Sequence, residues 1–197
     1  MIIIKELNID TKADFFALFE GHFFEIDEHC ACYCTCWNMA KDDIKQTIED
    51  PVACGRMSLR EATRTVAECL IDEGLLKGYL AYVDDQAVAW CNSNDRERYK
   101  NEILPGTSGK IKSITCFKVS PEYRHKRIAS TMLKHVCDEA ALQGYVCVEA
   151  YPMRNHFFCH EEYLDSLRMY EHAGFEKVCV CEDSFLLRKR LRVNINE

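Results

Sequence analysis

The chain has 197 residues, 48% of them hydrophobic and 29% charged, a soluble globular balance with enough mass to bury one core. Its net charge of -7 argues against nucleic acid as the main partner, because neutralising phosphates needs a basic face. No apolar run approaches the length that spans a membrane.

The start, MIIIKELNID, lacks the charged lead, long apolar region and cleavage site of a secretory signal. Residues 2–7 are therefore read as a strand and the protein as cytoplasmic. Asp10 or Thr11 can cap a helix to about residue 22, with Phe15, Leu18, Phe19 and His22 on one face. Residues 24–38 read as irregular. A helix over about 40–49 is expected to end at Asp50-Pro51, since proline steers the preceding residue out of the helical region. Ser58 with Glu61 forms a capping-box signature for a helix to about Glu73, closed by Gly74. LLKGYLAYV, Asp84-Asp85 and QAVAWCN read as a hairpin, followed by a polar loop over 93–110.

IKSITCFKV (111–119) reads as a strand. The next helix carries Ile128, Met132, Val136 and Ala140 as its apolar stripe and stops at Gly144. YVCVEAY (145–151) is a strand, 152–161 a loop, and 162–172 a helix ended by Gly174. FEKVCVCED and SFLLRKRLRV make a final strand pair. The strand–helix–strand unit over 111–151 is a crossover, so its strands should be parallel neighbours, while the hairpins make the rest antiparallel. The expected class is α/β (α+β), one domain over 1–197 with a mixed sheet and helices on both faces.

Thirteen cysteines are many and odd in number. In a cytosolic setting they are expected to be reduced, and most lie in apolar runs where cysteine behaves as a small hydrophobe. The exception is HCACYCTCWN (29–38), where Cys30, Cys32, Cys34 and Cys36 alternate with other residues. In a straight strand their sulfurs would lie about 6.5–7 Å apart along one face, too far to share a zinc ion. A sharply bent loop could gather them, with His29 or Cys54.

Chemistry concentrates in VSPEYRHKRIA (119–129). Arg124, His125, Lys126 and Arg127 crowd a helix start, where the macrodipole disfavours cations unless an anion sits between them and the free N–H groups. The alternative is one longer helix opened by Ser120-Pro121-Glu122, with the basic residues on its solvated face.

ITCFKVSPEYRHKRIASTMLKHVCDEAALQGYVCVEAYP, followed by LRMYEHAGFEKV (167–178), resembles the acetyl-CoA-binding core of the GNAT superfamily of N-acetyltransferases. AWCNSNDRERY, CFKVSPEYR and VEAYP resemble a branch of it that also carries a Cys-x-Cys…Trp segment near its start. The resemblance covers residues 75–192, with 1–74 bordering an acceptor cleft. It implies acetyl transfer from acetyl-CoA, as cosubstrate and without metal, to an amine of a small molecule or peptide, with a homodimer left open. It implies that the backbone of Phe117, Lys118 and Val119 pairs with the pantetheine arm where two parallel strands splay. N–H groups from Arg124 through His125, Lys126, Arg127 and Ile128 to Ala129 would hold the pyrophosphate. The family usually has glycine at positions 125 and 127. Arg127 forfeits close backbone approach but adds a guanidinium.

Tyr170 matches the tyrosine that protonates the departing thiolate. Position 163, where the family often has Asn, is Tyr163. Glu149 is the candidate general base, its carboxyl expected in an apolar strand. The other reading makes it a salt-bridged strand residue. His125 and His156 are weaker candidates. Cys34, Cys36 and Trp37 would line the acceptor cleft, with Trp90, Arg96 and Tyr151. Two rival readings stand beside the transferase: a non-catalytic ligand-binding or sensor protein, and a metal- or redox-responsive protein acting through Cys30–Cys36.

Overall fold

The computed structural model describes residues 1–23, 32–100, 108–152, 167–180 and 184–191. Seven strands form one sheet: β1 (Ile2–Glu6), β2 (Gly78–Val83), β3 (Gln86–Asp95), β4 (Ile111–Val119), β5 (Cys147–Ala150), β6 (Glu176–Val180) and β7 (Phe185–Arg190). Their order is β1-β2-β3-β4-β5-β7-β6. The β4–β5 pair is parallel, as the crossover requires, and the other pairs are antiparallel. Asp84 and Asp85 both take positive φ, 49° and 63°, as the hairpin between β2 and β3 requires of its central residues.

Helices cover both faces. α1 (Lys12–Leu18) runs into a π turn at Phe19–Phe23 and buries Phe15, Phe16 and Leu18. α4 (Leu59–Asp72) opens with the expected capping box, Ser58 and Glu61 each serving the other's backbone N–H, and ends before Gly74 at φ 66°. These helices pack with Trp90, Leu80 and Tyr33 into the core of one face. On the other face α5 (Ile128–Leu142) buries Ile128, Met132, Leu133, Val136, Cys137 and Ala140, and Tyr170 and Phe175 join that core. No helix among the described residues is long and apolar enough to cross a membrane.

One expectation needs correction, and one of the two readings of the basic turn falls away. The helix expected to stop at Asp50-Pro51 continues as α2 (Lys41–Ile44), a π turn at Lys45–Glu49 and α3 (Asp50–Ala53). The wide π turn gives the proline ring room, and Pro51 has no N–H to leave unpaired. The longer helix from Ser120 does not form either. Pro121–Tyr123 is a 3₁₀ turn, the chain straightens at Arg124, and α5 begins only after Arg127. The described part of the last predicted helix, 167–172, is helical and closes at Gly174 with φ 82°. Its first half, with Tyr163 and His156, lies outside the described residues, as do His29 and Cys30.

Candidate active site

The site begins where β4 and β5 part. Their parallel register ends at Ile114↔Ala150, with Tyr151 N–H still donating to the Ile114 carbonyl at 3.3 Å. Beyond that point β4 stays with β3, up to Val119 opposite Ala89. The β5 chain stays instead with β7, the Phe185 N–H donating to the Pro152 carbonyl at 3.0 Å. The two strands splay, and burial along β4 drops from full over 111–114 to partial over 115–119. This segment holds Phe117, Lys118 and Val119.

A β-bulge sits at the same place. Asn92 pairs with Cys116 but Ser93 with Ile114, so Thr115 is an extra residue on β4. One extra residue reverses the facing of everything after it. Ile114, Phe117 and Val119 therefore pack toward α5, while Cys116 packs toward α1 and the cysteine-rich stretch. The Phe117 ring meets Tyr170 at 6.3 Å between centroids, and Tyr170 in turn meets Phe175 at 5.2 Å. Burial pushes the Tyr170 hydroxyl well above the usual tyrosine range, so it holds its proton at neutral pH.

The basic turn lies at the end of β4. His125 and Arg127 both have positive φ, 59° and 63°. Arg124, His125, Lys126 and Arg127 are exposed, whereas Ile128 is buried and Ala129 half-buried. α5 leaves the N–H groups of its first turn, at Ile128, Ala129 and Ser130, without intrahelical acceptors, and their positive end faces the turn. The donor set fits a pyrophosphate: free helix N–H groups, three permanent cations and backbone already in the left-handed form that glycine usually supplies there.

On the α1 side a chain of polar contacts crosses four strands. Asn92 Nδ2 donates to the Cys34 carbonyl at 3.0 Å, and the Tyr99 hydroxyl donates to Asn92 Oδ1 at 2.8 Å. Ser113 Oγ lies 3.5 Å from the Tyr151 hydroxyl, which donates to Glu149 Oε2 at 2.7 Å. Glu149 Oε1 accepts from Arg188 Nε at 2.9 Å and Nη2 at 2.7 Å. Arg96 Nη1 stands 3.6 Å from Oε2, an ion pair rather than a hydrogen bond. Trp37 covers this wall, 6.2 Å from the Tyr151 ring and 6.3 Å from Tyr99.

A model of the acetyltransferase (GNAT) family matches residues 6–175. The chain belongs to that family. Membership makes it an acetyltransferase. Among solved structures, the PaiA N-acetyltransferase from Thermoplasma acidophilum, in complex with coenzyme A, is similar with a TM-score of 0.53 and 15% identity, covering 96% of this chain and 99% of that one. The ribosomal-protein-S18-alanine N-acetyltransferase from Escherichia coli has a TM-score of 0.52 and 11% identity, covering 97% and 94%. The aminoglycoside N-acetyltransferase AAC(6')-Iy, in complex with CoA, has a TM-score of 0.56 and 14% identity, covering 92% and 91%. At these identities the likeness is one of fold. No curated protein matches in sequence.

Within this GNAT fold the structure gathers most of the residues singled out from sequence. Trp37, Tyr151, Arg96, Glu149, Cys34 and Cys36 lie on the α1 side of the splay, and Tyr170 and Phe117 on the other. Trp90 is not among them: it is fully buried, its ring 5.0 Å from Phe15 in the core. The apolar setting expected for the Glu149 carboxyl is absent too, because Arg188, Arg96 and Tyr151 surround it. Sequence reading missed Asn92, Tyr99, Ser113 and Arg188. For Arg188 there was a signal: a cation inside the apolar strand SFLLRKRLRV needs a buried acid, and Glu149 is the acid in YVCVEAY.

Proposed function

We propose that this chain transfers an acetyl group from acetyl-CoA to the amine of a small molecule or peptide. The observation that carries the reading is the opening of β4 from β5 after Ile114, with Tyr170 packed on Phe117 in the opened stretch. Bound acetyl-CoA supplies an activated thioester. The edge of Phe117, Lys118 and Val119 that faces away from β3 would pair with its pantetheine arm. The turn from Arg124 to Ala129 would hold its pyrophosphate by N–H groups and by the Arg127 and Lys126 charges. Tyr170, protonated at neutral pH, is suited to give its proton to the departing thiolate.

The acceptor would enter on the α1 side, against Trp37, Tyr151 and Cys36, with Cys34 buried behind them and Arg96 and Arg188 supplying positive charge at its wall. Glu149, committed to Arg188 and Tyr151, is better placed to orient the Tyr151 hydroxyl than to take the amine's proton directly. A cytoplasmic setting suits the reading, since no disulfide joins the described cysteines. The three solved relatives include enzymes named for an aminoglycoside and for a ribosomal-protein alanine, which supports an amine acceptor without choosing one.

The test is chromatographic release of free CoA from acetyl-CoA across a panel of aminoglycosides, polyamines and peptides. Turnover with at least one amine is expected, and Tyr170→Phe should slow it by roughly 10²–10⁴-fold with CoA affinity unchanged. CoA binding without release on any amine would favour the ligand-binding reading instead.

A further inference from the structure

Cys34 and Cys36 each lie in contact with Cys32, and Cys34 also with Cys116 of β4, an arrangement that acetyl transfer does not require. Tyr33, fully buried against Phe15, Phe16 and Phe19, fixes one side of the stretch in the core. Cys34 takes left-handed backbone at φ 57°, and a 3₁₀ turn begins at Cys36. These two bends bring together sulfurs that a straight strand would hold apart. The Cys34 N–H donates to Cys32 Sγ at 3.2 Å, and the thiols of Cys34 and Cys36 turn to the same sulfur. The Cys34 thiol also reaches Cys116, which the bulge in β4 has turned toward it. Lys118 adds a positive charge near both Cys32 and Cys116.

Donors and a nearby cation favour a thiolate over a thiol. The S–H groups of Cys34 and Cys36 hold the Cys32 thiol well below the usual range, while contact first with Cys116 and then with Cys32 pushes Cys34 up, and contact with Cys32 pushes Cys36 up. The Cys34 N–H at 3.2 Å and the nearby Lys118 charge mark Cys32 as the attacking sulfur, with Cys36, four residues on and bent back toward it, as the resolving thiol.

We propose that Cys32 and Cys36, supported by Cys34 and Cys116, form a thiol–disulfide site that reacts with small peroxides. The Cys32 thiolate attacks one peroxide oxygen, the O–O bond breaks, and the leaving hydroxide takes up the thiol's proton to become water. Cys32 is then a sulfenic acid. The Cys36 sulfur attacks it, the S–O bond breaks, and the departing hydroxide leaves as a second water with the Cys36 proton. Two thiols lose two electrons and two hydrogens, and hydrogen peroxide becomes two waters. Trp37 follows Cys36 directly, so closing the bond shifts the ring that covers Tyr99 and Tyr151.

The test uses the reduced full chain with stoichiometric hydrogen peroxide, rapid alkylation and mass spectrometry. Cys54 and Cys69 are exposed thiols, the Cys69 S–H donating to Glu73 Oε1 at 3.4 Å, and serve as internal controls. The segment holding Cys32 and Cys36 should lose two hydrogens about tenfold faster than either control is oxidised, reversibly with dithiothreitol. Cys36→Ser should leave a sulfenic acid on Cys32 that dimedone traps, and Cys32→Ser should abolish both products while keeping the wild-type circular dichroism. Oxidation of Cys54 or Cys69 first, disulfide formation that persists in Cys32→Ser, or stoichiometric zinc protecting these thiols would overturn the proposal. The readout is thiol chemistry in the absence of acetyl-CoA, so its outcome is separate from that of the transferase reading.

Discussion

His125 and Arg127 stand at two positive-φ positions in the turn before α5, where the family usually has glycine. A side chain in left-handed backbone costs about 1–2 kcal/mol, which glycine avoids. Glycine also loses about 0.4–1 kcal/mol through the freedom it gives the unfolded chain. Arg127→Gly should therefore leave stability within about 1 kcal/mol of wild type in urea melts, while weakening CoA binding through loss of the guanidinium. A loss of several kcal/mol would contradict the left-handed turn. Gly78 is the opposite case. A Cβ there would overlap the Cys91 carbonyl oxygen and the Trp90 ring. Gly78→Ala should destabilise by about 1–3 kcal/mol in the same melts, because neither the backbone nor a fully buried indole can yield cheaply. Composition and motif made the first site legible, since position 127 already stood out as Arg where glycine was expected. Nothing local marked Gly78, whose constraint comes from an indole on the neighbouring strand.

Elements were legible where local chemistry decides them. The capping box at Ser58 and Glu61, the Asp84-Asp85 hairpin and the apolar stripe of α5 each follow from a few adjacent residues. The bulge at Thr115 and the π turn ahead of Pro51 were not legible, because each depends on what a neighbouring strand or turn accommodates. The bulge matters most for the site, since it sends Phe117 to Tyr170 and Cys116 to Cys34. The network on β5 and β7 was half legible: the acid at 149 stood out, but its partner Arg188 did not, because only strand pairing opposes them, Glu149↔Arg188. Glu149 is fully buried and Arg188 nearly so. Glu149→Gln leaves the two guanidinium groups of Arg188 and Arg96 without their shared anion, and should cost about 3–5 kcal/mol by chemical denaturation. Glu149→Leu combined with Arg188→Leu should recover much of that loss, because a paired apolar replacement removes the stranded charge.

At the scale of the whole molecule, an acidic chain of net charge -7 carries a basic turn at the mouth of a splayed pair of strands. That contrast is what an enzyme handling one phosphorylated cosubstrate needs, and an acidic surface elsewhere keeps polyanions away. The parallel pairing of β4 with β5 followed from the strand–helix–strand pattern and their splaying from the family resemblance, whereas the strand order and the proposed acceptor wall followed from neither. That wall is assembled from residues 34–37, 92–99, 113, 149–151 and 188, which only the folded sheet brings together. The central claim is that the splayed β4 edge and the turn before α5 bind CoA. Thermal unfolding with and without acetyl-CoA tests it most directly. At a hundredfold excess over the dissociation constant, binding adds about 2.7 kcal/mol, a rise in midpoint of roughly 5–10 °C for a chain of this size. The account predicts that rise, reduced by salt and by Arg124→Ala with Arg127→Ala. An unchanged midpoint at millimolar acetyl-CoA would contradict it.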